Sequence, residues 1–224
     1  MCGRFTQMMS WEELVELLGP IKQQPPIPSA RYNIAPSAQI LVAKQESAQL
    51  ALTTMPWGVK PSWSKSLLIN AQAEKYGGEG RSFWKSWRRC LVPASGFYEW
   101  QKHEHGKTPT FIRVTKRPNF AMGGLYRSFE HGGIMIDMSV ILTTRPNTLM
   151  ADIHHRMPVI VHAQDHTTWL SDRTPQEDVI RMMEPYPSKE MEVWPVAHVV
   201  DNARNDRADC MTPVGPKRVG VAAD

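Results

Sequence analysis

Apolar residues in this chain come mostly in short runs separated by turn-forming clusters, and long amphipathic stretches are few. Ser10-Trp11-Glu12-Glu13 has the form of a capping box, with Ser10 at the N-cap and Glu13 at the third helical position. It predicts a short helix through Leu18, stopped by Gly19 and Pro20. Residues 22–31 are polar and proline-rich and read as loop. Residues 39–44 and 50–54 read as strands of mixed alternation, joined in a hairpin through 45–48. Residues 60–80 show little periodicity and are expected to be loop wrapped over the surface or a site; 82–89 predicts one or two helical turns. From Cys90 onward, apolar runs fall at 90–92, 97–101, 110–114, 120–125 and 138–143. Turn signals separate them at Pro93, 104–106, 116–118 and 131–133. Residues 158–161 add a strand, 162–171 and 175–183 look helical, and 191–200 returns to extended structure. No repeat, low-complexity tract or linker interrupts the chain. The expected architecture is a single α+β domain over residues 1–224. Its core would be a curved, mostly antiparallel β-sheet or barrel-like, with short peripheral helices.

At 224 residues and 42% hydrophobic content, the chain can bury a sizeable core. No apolar run approaches the roughly 18 residues of a membrane span. Glu12 and Glu13 interrupt any leader-like pattern, so the expected location is cytoplasmic (nucleoid-associated in a bacterium), with no membrane partner. Three widely spaced cysteines, Cys2, Cys90 and Cys210, argue against a disulfide framework, and without a C-x-x-C a structural zinc site is not expected. The net charge of +4 is modest. Its distribution says more: Lys60, Lys65, Arg81, Lys85, Arg88 and Arg89 interleave with Trp57, Trp63, Trp84 and Trp87. That mixture suits single-stranded nucleic acid, with cations on phosphates and rings on bases. A solvated helix face over core tryptophans explains it equally well.

Cys2 is the most informative residue for chemistry. Removal of Met1, which aminopeptidases perform before a small residue, leaves an α-amine and a thiol on adjacent carbons. The amine can condense with an aldehyde, and the thiol can close on the same carbon to form a thiazolidine. Both groups have a usable reactive fraction near neutral pH. Arg4 could hold an anion or form a surface ion pair. Asn70 could present its amide to a reacting group or bond its own loop. Glu99 lies in Phe97-Tyr98-Glu99-Trp100, where alternation puts Tyr98 and Trp100 on one face and Glu99 on the other. Enclosed by apolar groups it would shuttle protons near neutrality; otherwise it would lie on the solvent face or pair with an arginine. His154 can titrate near neutral pH. His162 and His166 have i,i+4 spacing but lack a third ligand in the pattern, so no metal is expected.

These pieces together resemble a known family. Met-Cys-Gly-Arg-Phe at the start, Tyr32-Asn33-Ile34-Ala35-Pro36, Trp57-Gly58 with Pro61-Ser62-Trp63, Asn70-Ala71, Gly96-Phe97-Tyr98-Glu99-Trp100, and His154 before Arg156-Met157-Pro158 follow the order and spacing of the SRAP family. Its members are the SOS-response-associated peptidase or abasic-site processing proteins. The resemblance spans essentially the whole chain. It implies covalent capture of abasic sites in single-stranded DNA, with no cofactor and as a monomer. Cys2 would be the crosslinking nucleophile, Asn70 would orient its terminus, Glu99 would transfer protons as the sugar opens, and His154 would be the motif histidine. Arg4 and Arg156 resemble phosphate-binding arginines, Pro36 and Trp63 resemble residues of the strand-binding surface, and Thr143 lies near the centre by analogy. The family commonly has arginine where Gln72 stands, aspartate at His155 and tryptophan at Tyr126. A lyase-like activity could accompany the capture; the rival readings are a thiol peptidase or autopeptidase using Cys2 and His154, and a binding module for damaged or modified DNA without chemistry.

Overall fold

A computed structural model describes residues 2–22, 29–47, 49–78 and 81–221. Among them the strands run β1 (Arg4–Gln7), β2 (Arg31–Ile34), β3 (Gln39–Glu46), β4 (Gln49–Pro56), β5 (Asn70–Gln72), β6 (Arg88–Ala94) and β7 (Gly96–His103). They continue with β8 (Gly106–Val114), β9 (Phe120–His131), β10 (Ile134–Thr144), β11 (Met157–Pro158), β12 (Ile160–Val161), β13 (Met191–Pro195) and β14 (Arg218–Val219). Short helices punctuate them: α1 (Trp11–Leu18), α2 (Ala73–Gly77), α3 (Arg81–Trp84), α4 (Thr148–Ala151), α5 (His166–Leu170) and α6 (Gln176–Arg181). One sheet has the order β14-β13-β8-β7-β1-β2, and the other is built on β11-β10-β9-β6-β3-β4. Among the described residues the strands of this α+β fold pair antiparallel except where β5 joins β10, Trp57 makes an isolated parallel bridge to Ser139, and neither sheet closes into a barrel.

Three apolar layers hold the sheets. Phe5, Ile34, Phe97 and Ile112 of the first sheet pack against Ile40, Val42, Met55, Val92 and Ile141 of the second. The far face of the second sheet is covered by Leu14 and Leu17 of α1, Trp84 of α3 and Trp169 of α5. Tyr98, Phe111 and Trp194 pack on the far face of the first sheet with Val200 and Cys210. The mixed alternation of β3 follows directly: Ile40 and Val42 face one layer, Leu41 and Ala43 the other, so both faces of the strand are buried.

The capping box forms as the sequence predicts, Ser10 Oγ accepting from Glu13 N at 3.2 Å and Glu13 Oε2 from Ser10 N at 2.7 Å. Other expectations are corrected: extended structure from Met191 ends at Pro195 and a 3-10 turn follows at His198–Asp201, and the helical turn expected over 82–89 stops at Trp84, with Arg88 and Arg89 already in β6. Pro93 is not a turn but lies inside β6, opposite Ala121. Lacking an N–H it cannot complete a ladder, and the Gln7 amide bridges the gap there, donating to Pro93 O and Leu41 O and accepting from Leu41 N. Residues 60–80 contain β5 and α2, elements too short for periodicity to reveal. Arg31, assigned to loop, begins β2; residues 23–28 of that loop lie outside the described residues. Residues 162–171 split into a 3-10 turn (Ala163–Asp165) and α5, so His162 and His166 do not share one helix. His162 stacks on the Tyr186 ring at 4.7 Å, while His166 is buried.

Gly96 opens β7 where the Phe111 ring crosses it: a Cβ there would stand 2.1 Å from Phe111 Cζ. Phe111 is itself wedged between Tyr98 and Trp194, at 5.0 and 5.1 Å between centroids. Gly96→Ala is therefore expected to cost about 1–3 kcal/mol through overpacking, read as a lowered urea midpoint with unchanged slope.

Candidate active site

Alternation along β7 turns Phe97 and Glu99 toward the space between the sheets and Tyr98 toward the outer layer. Glu99 thus reaches one end of the core and is 3% exposed. Burial pushes its carboxyl up from an ordinary 4.5 to about 7 in the chain that still carries Met1, whose positive amine pulls the other way. Cys2 enters the same region just before β1, where Phe5 pairs with Phe97. Its side chain is fully buried in the inter-sheet core, with Sγ 4.0 Å from Arg4 O. Burial first, and the negative charge of Glu99 second, raise the thiol far above its usual range. At neutral pH the sulfur is therefore a thiol, close enough to Glu99 to feel its charge.

His154 is delivered by the loop after α4. Asn147 caps that helix, its Oδ1 accepting from Met150 N at 2.9 Å, and His154 N donates to Met150 O at 2.8 Å. Gln101 Nε2 donates to Asp152 O at 2.9 Å, tying the loop to β7. His154 Nδ1 comes to 3.9 Å from Glu99 Oε1. His154 Nδ1 lies 3.0 Å from the Arg156 N–H and 3.2 Å from the Arg156 carbonyl oxygen, so the Arg156 backbone holds that edge of the ring. Burial drives His154 down to about 4, and the positive amino terminus adds to the shift. The Glu99–His154 contact at pH 7 is accordingly a neutral imidazole beside a carboxyl near its midpoint rather than an ion pair.

Asn70 begins β5 opposite Ile141, and its Nδ2 donates to Ile141 O at 3.4 Å. Its Oδ1 is buried and accepts from no described residue. An open buried acceptor is rare in folded proteins and invites a donor. Thr143 is buried one strand over, its Oγ1 donating to Ala71 O at 3.4 Å.

The remaining sequence candidates are placed differently. Arg4 pairs with Tyr98 across the ladder, on the face away from Glu99. Its guanidinium donates to Asn33 Oδ1 and Val200 O, both at 2.8 Å, and to Asp201 O at 3.1 Å. Asn33, buried, also donates to Val200, Asn202 and Asn205 carbonyls, and Asp206 accepts from Tyr32 and Asn33 N–H groups. This clamp, absent from the sequence reading, joins partners up to 197 residues apart and has no local signature. Arg156 binds both Glu74 carboxylate oxygens at 2.8 Å. Pro36 is half-buried beside Ser37, whose N–H bonds Trp57 O at 2.9 Å. Of the four tryptophans expected either in the core or on a strand, Trp57, Trp84 and Trp87 are buried and Trp63 is 67% exposed. Arg89 is spent on Trp169 and Ser171 carbonyls at 2.6 and 2.5 Å. Among the described residues no group of three His, Cys, Asp or Glu side chains is placed to hold a metal.

The family model described as SOS response associated peptidase (SRAP) matches residues 1–203. The chain belongs to the SRAP family. Abasic site processing protein YoqW of Bacillus subtilis strain 168 is 34% identical to this SRAP chain, over 92% of it and 96% of the relative. Abasic site processing protein YedK of Escherichia coli K12 is 29% identical over 96% of this chain and all of its own. Abasic site processing protein HMCES of Gallus gallus is 27% identical over 86% of this chain and 69% of its own. A protein from Bacteroides thetaiotaomicron has the same fold, with TM-score 0.79 at 20% identity over 95% of this SRAP chain and 100% of its own. A phage-related protein of Bordetella bronchiseptica matches with TM-score 0.70 at 28% identity, over 87% of this chain and 94% of its own.

Proposed function

We propose that this SRAP protein processes abasic sites in single-stranded DNA by capturing the sugar aldehyde on the 1,2-aminothiol of Cys2, freed by loss of Met1. The observation that carries the reading is a wholly buried Cys2 beside a carboxyl raised to about 7, which itself stands 3.9 Å from a neutral imidazole. A carboxyl near its midpoint at neutral pH can give and take protons with equal ease. Glu99 protonates the ring oxygen of the closed sugar as the hemiacetal opens. The neutral α-amine attacks C1′, a proton is given to the departing hydroxyl, and water leaves to form the imine. The thiol then adds to C1′ while its proton passes through Glu99 to the nitrogen, closing the thiazolidine. Aldehyde and aminothiol are consumed and one water is released, so neither oxidant nor metal enters. Asn70 Oδ1 holds the amine by accepting from it, and Trp63 offers its face to an unpaired base.

The peptidase reading needs a thiolate–imidazolium pair, with the thiol lowered and the imidazole raised. Burial moves both groups the other way here, Cys2 up and His154 down to about 4. Aldehyde capture is favoured because an imine is electrophilic enough to accept a thiol whose proton is removed as it adds. The test uses two preparations of verified N-terminus, one processed to Cys2 and one retaining Met1, each incubated with an abasic single-stranded oligonucleotide and run on a denaturing gel. Only the processed form is expected to give a shifted band, with the mass of protein plus DNA less one water. Equal crosslinking by the Met1 form would remove the amine from the mechanism and overturn the proposal.

A further inference from the structure

Arg156 follows His154 by two residues, and its guanidinium lies against Thr143, whose register partner is Gln72, two positions beyond Asn70. It therefore borders the candidate centre. Two of its nitrogens bind the two oxygens of Glu74 at 2.8 Å each, and Nη2 also donates to the Thr143 carbonyl. The two partners are unequally held. The Arg156 side chain is 11% exposed and fixed from behind by Thr143, whereas that of Glu74 is 55% exposed on the short helix α2. The planar fork of a guanidinium fits a carboxylate and a phosphate in the same bidentate geometry. Arg156 Nε is buried and donates to no described residue, so the arginine retains unused donor capacity.

We infer that Glu74 is a built-in competitor for DNA phosphate: its carboxylate occupies the Arg156 fork in the free protein, and a phosphate of the bound strand displaces it. This deepens the proposed function and rests on it for the placement of the strand. The surrounding charge favours such a device. Arg145, near enough to lower Glu74, is itself paired with Glu184 at 2.5 Å, so two arginines and two carboxylates cancel along this edge. Gln72, the register partner of Thr143, adds no cation. Protonation does not open the fork near neutral pH, because the Arg156 hydrogen bonds hold the Glu74 carboxyl below its ordinary value. Another anion has to do it. The consequence is selectivity: a strand that passes elsewhere on the surface finds no cation here, whereas one threaded past Cys2 brings a phosphate to the fork and frees Glu74 to solvent.

The test measures binding of an unmodified single-stranded oligonucleotide by fluorescence anisotropy across a salt series. Glu74→Gln removes the charge and keeps the shape and one acceptor. It is expected to bind about 3- to 10-fold tighter than wild type. Its log K against log salt should keep the wild-type slope, because the same phosphate reaches the Arg156 fork in both proteins and only the cost of displacing Glu74 is removed. In an Arg156→Gln background the same change should give no gain, whereas a long-range charge effect would persist there. Thermal melts of each variant separate binding changes from unfolding. Weaker binding by Glu74→Gln, a slope steeper by about 0.7 (which would mean that the wild-type strand never displaces Glu74), or a gain that survives in the Arg156→Gln background would each overturn the inference. Adduct formation with an abasic strand, assayed in parallel, reports on the parent reading independently. Normal wild-type crosslinking with no gain in affinity by Glu74→Gln removes only the competitor. A gain in affinity without any wild-type adduct removes only the capture chemistry.

Discussion

Cys2→Ala is expected to abolish the denaturant-resistant adduct with abasic single-stranded DNA and to leave reversible binding within a few-fold of wild type. The processed variant still begins with an α-amine, so it can form the imine. What it lacks is the sulfur that closes the ring. An imine hydrolyses back or proceeds to β-elimination, so the variant should show borohydride-trappable adduct and more strand cleavage than wild type. Loss of one buried sulfur leaves only a small cavity in the inter-sheet core, and a cost on the order of 1 kcal/mol keeps the domain folded. A stable adduct formed by Cys2→Ala, without borohydride, would assign the crosslink to another nucleophile.

Glu99→Gln is expected to slow adduct formation by about 10²- to 10⁴-fold, the range supplied by one positioned acid–base group. The same substitution should stabilise the fold at alkaline pH. The Glu99 carboxyl is raised in the folded state from 4.5 to about 7, so the native protein binds its proton more tightly than the unfolded chain does. Its favourable contribution is complete below about 4.5 and is lost as pH rises through about 7. At about 1.4 kcal/mol for each pH unit in that window, the loss amounts to roughly 3 kcal/mol. Glutamine fills the same volume and does not titrate. Urea denaturation at pH 5 and pH 8 should therefore show the variant gaining on wild type at the higher pH. A difference between the two proteins that stays constant with pH would mean that Glu99 does not carry a raised pKa. Such a result would also remove the ground for making it the proton carrier.

Much of the local structure was legible because its causes are local. Ser10 and Glu13 satisfy each other across one helical turn, and the apolar runs at 97–101, 110–114, 120–125 and 138–143 each fall within a strand. Where a cause lies elsewhere in the chain, the pattern was silent. Pro93 reads as a breaker until Gln7, 86 residues away, fills the ladder. The three residues of β5 are a strand only because β10 supplies their partner. The tryptophans among the basic residues were evenly balanced between core and surface, since no periodicity tells which side of a short helix the sheet will cover. Packing buries Trp57, Trp84 and Trp87 and leaves Trp63 outside.

The candidate site divides along the same line. Sequence by itself determined which functional groups exist: a thiol on the residue that loss of Met1 would make the amino terminus, a carboxyl alternating with aromatics, and a histidine two residues before an arginine. It also carried the motif order that marks the SRAP family. Only the tertiary structure decided what those groups are at neutral pH and which of them meet. Burial of Cys2, Glu99 and His154 moves each toward its neutral form, because the low-polarity interior penalises charge wherever the chain happens to enclose it. The Glu74–Arg156 pair spans 82 residues of sequence, and its geometry depends on Thr143 backing the arginine. Contacts at that separation are products of sheet assembly, which no window of local sequence contains.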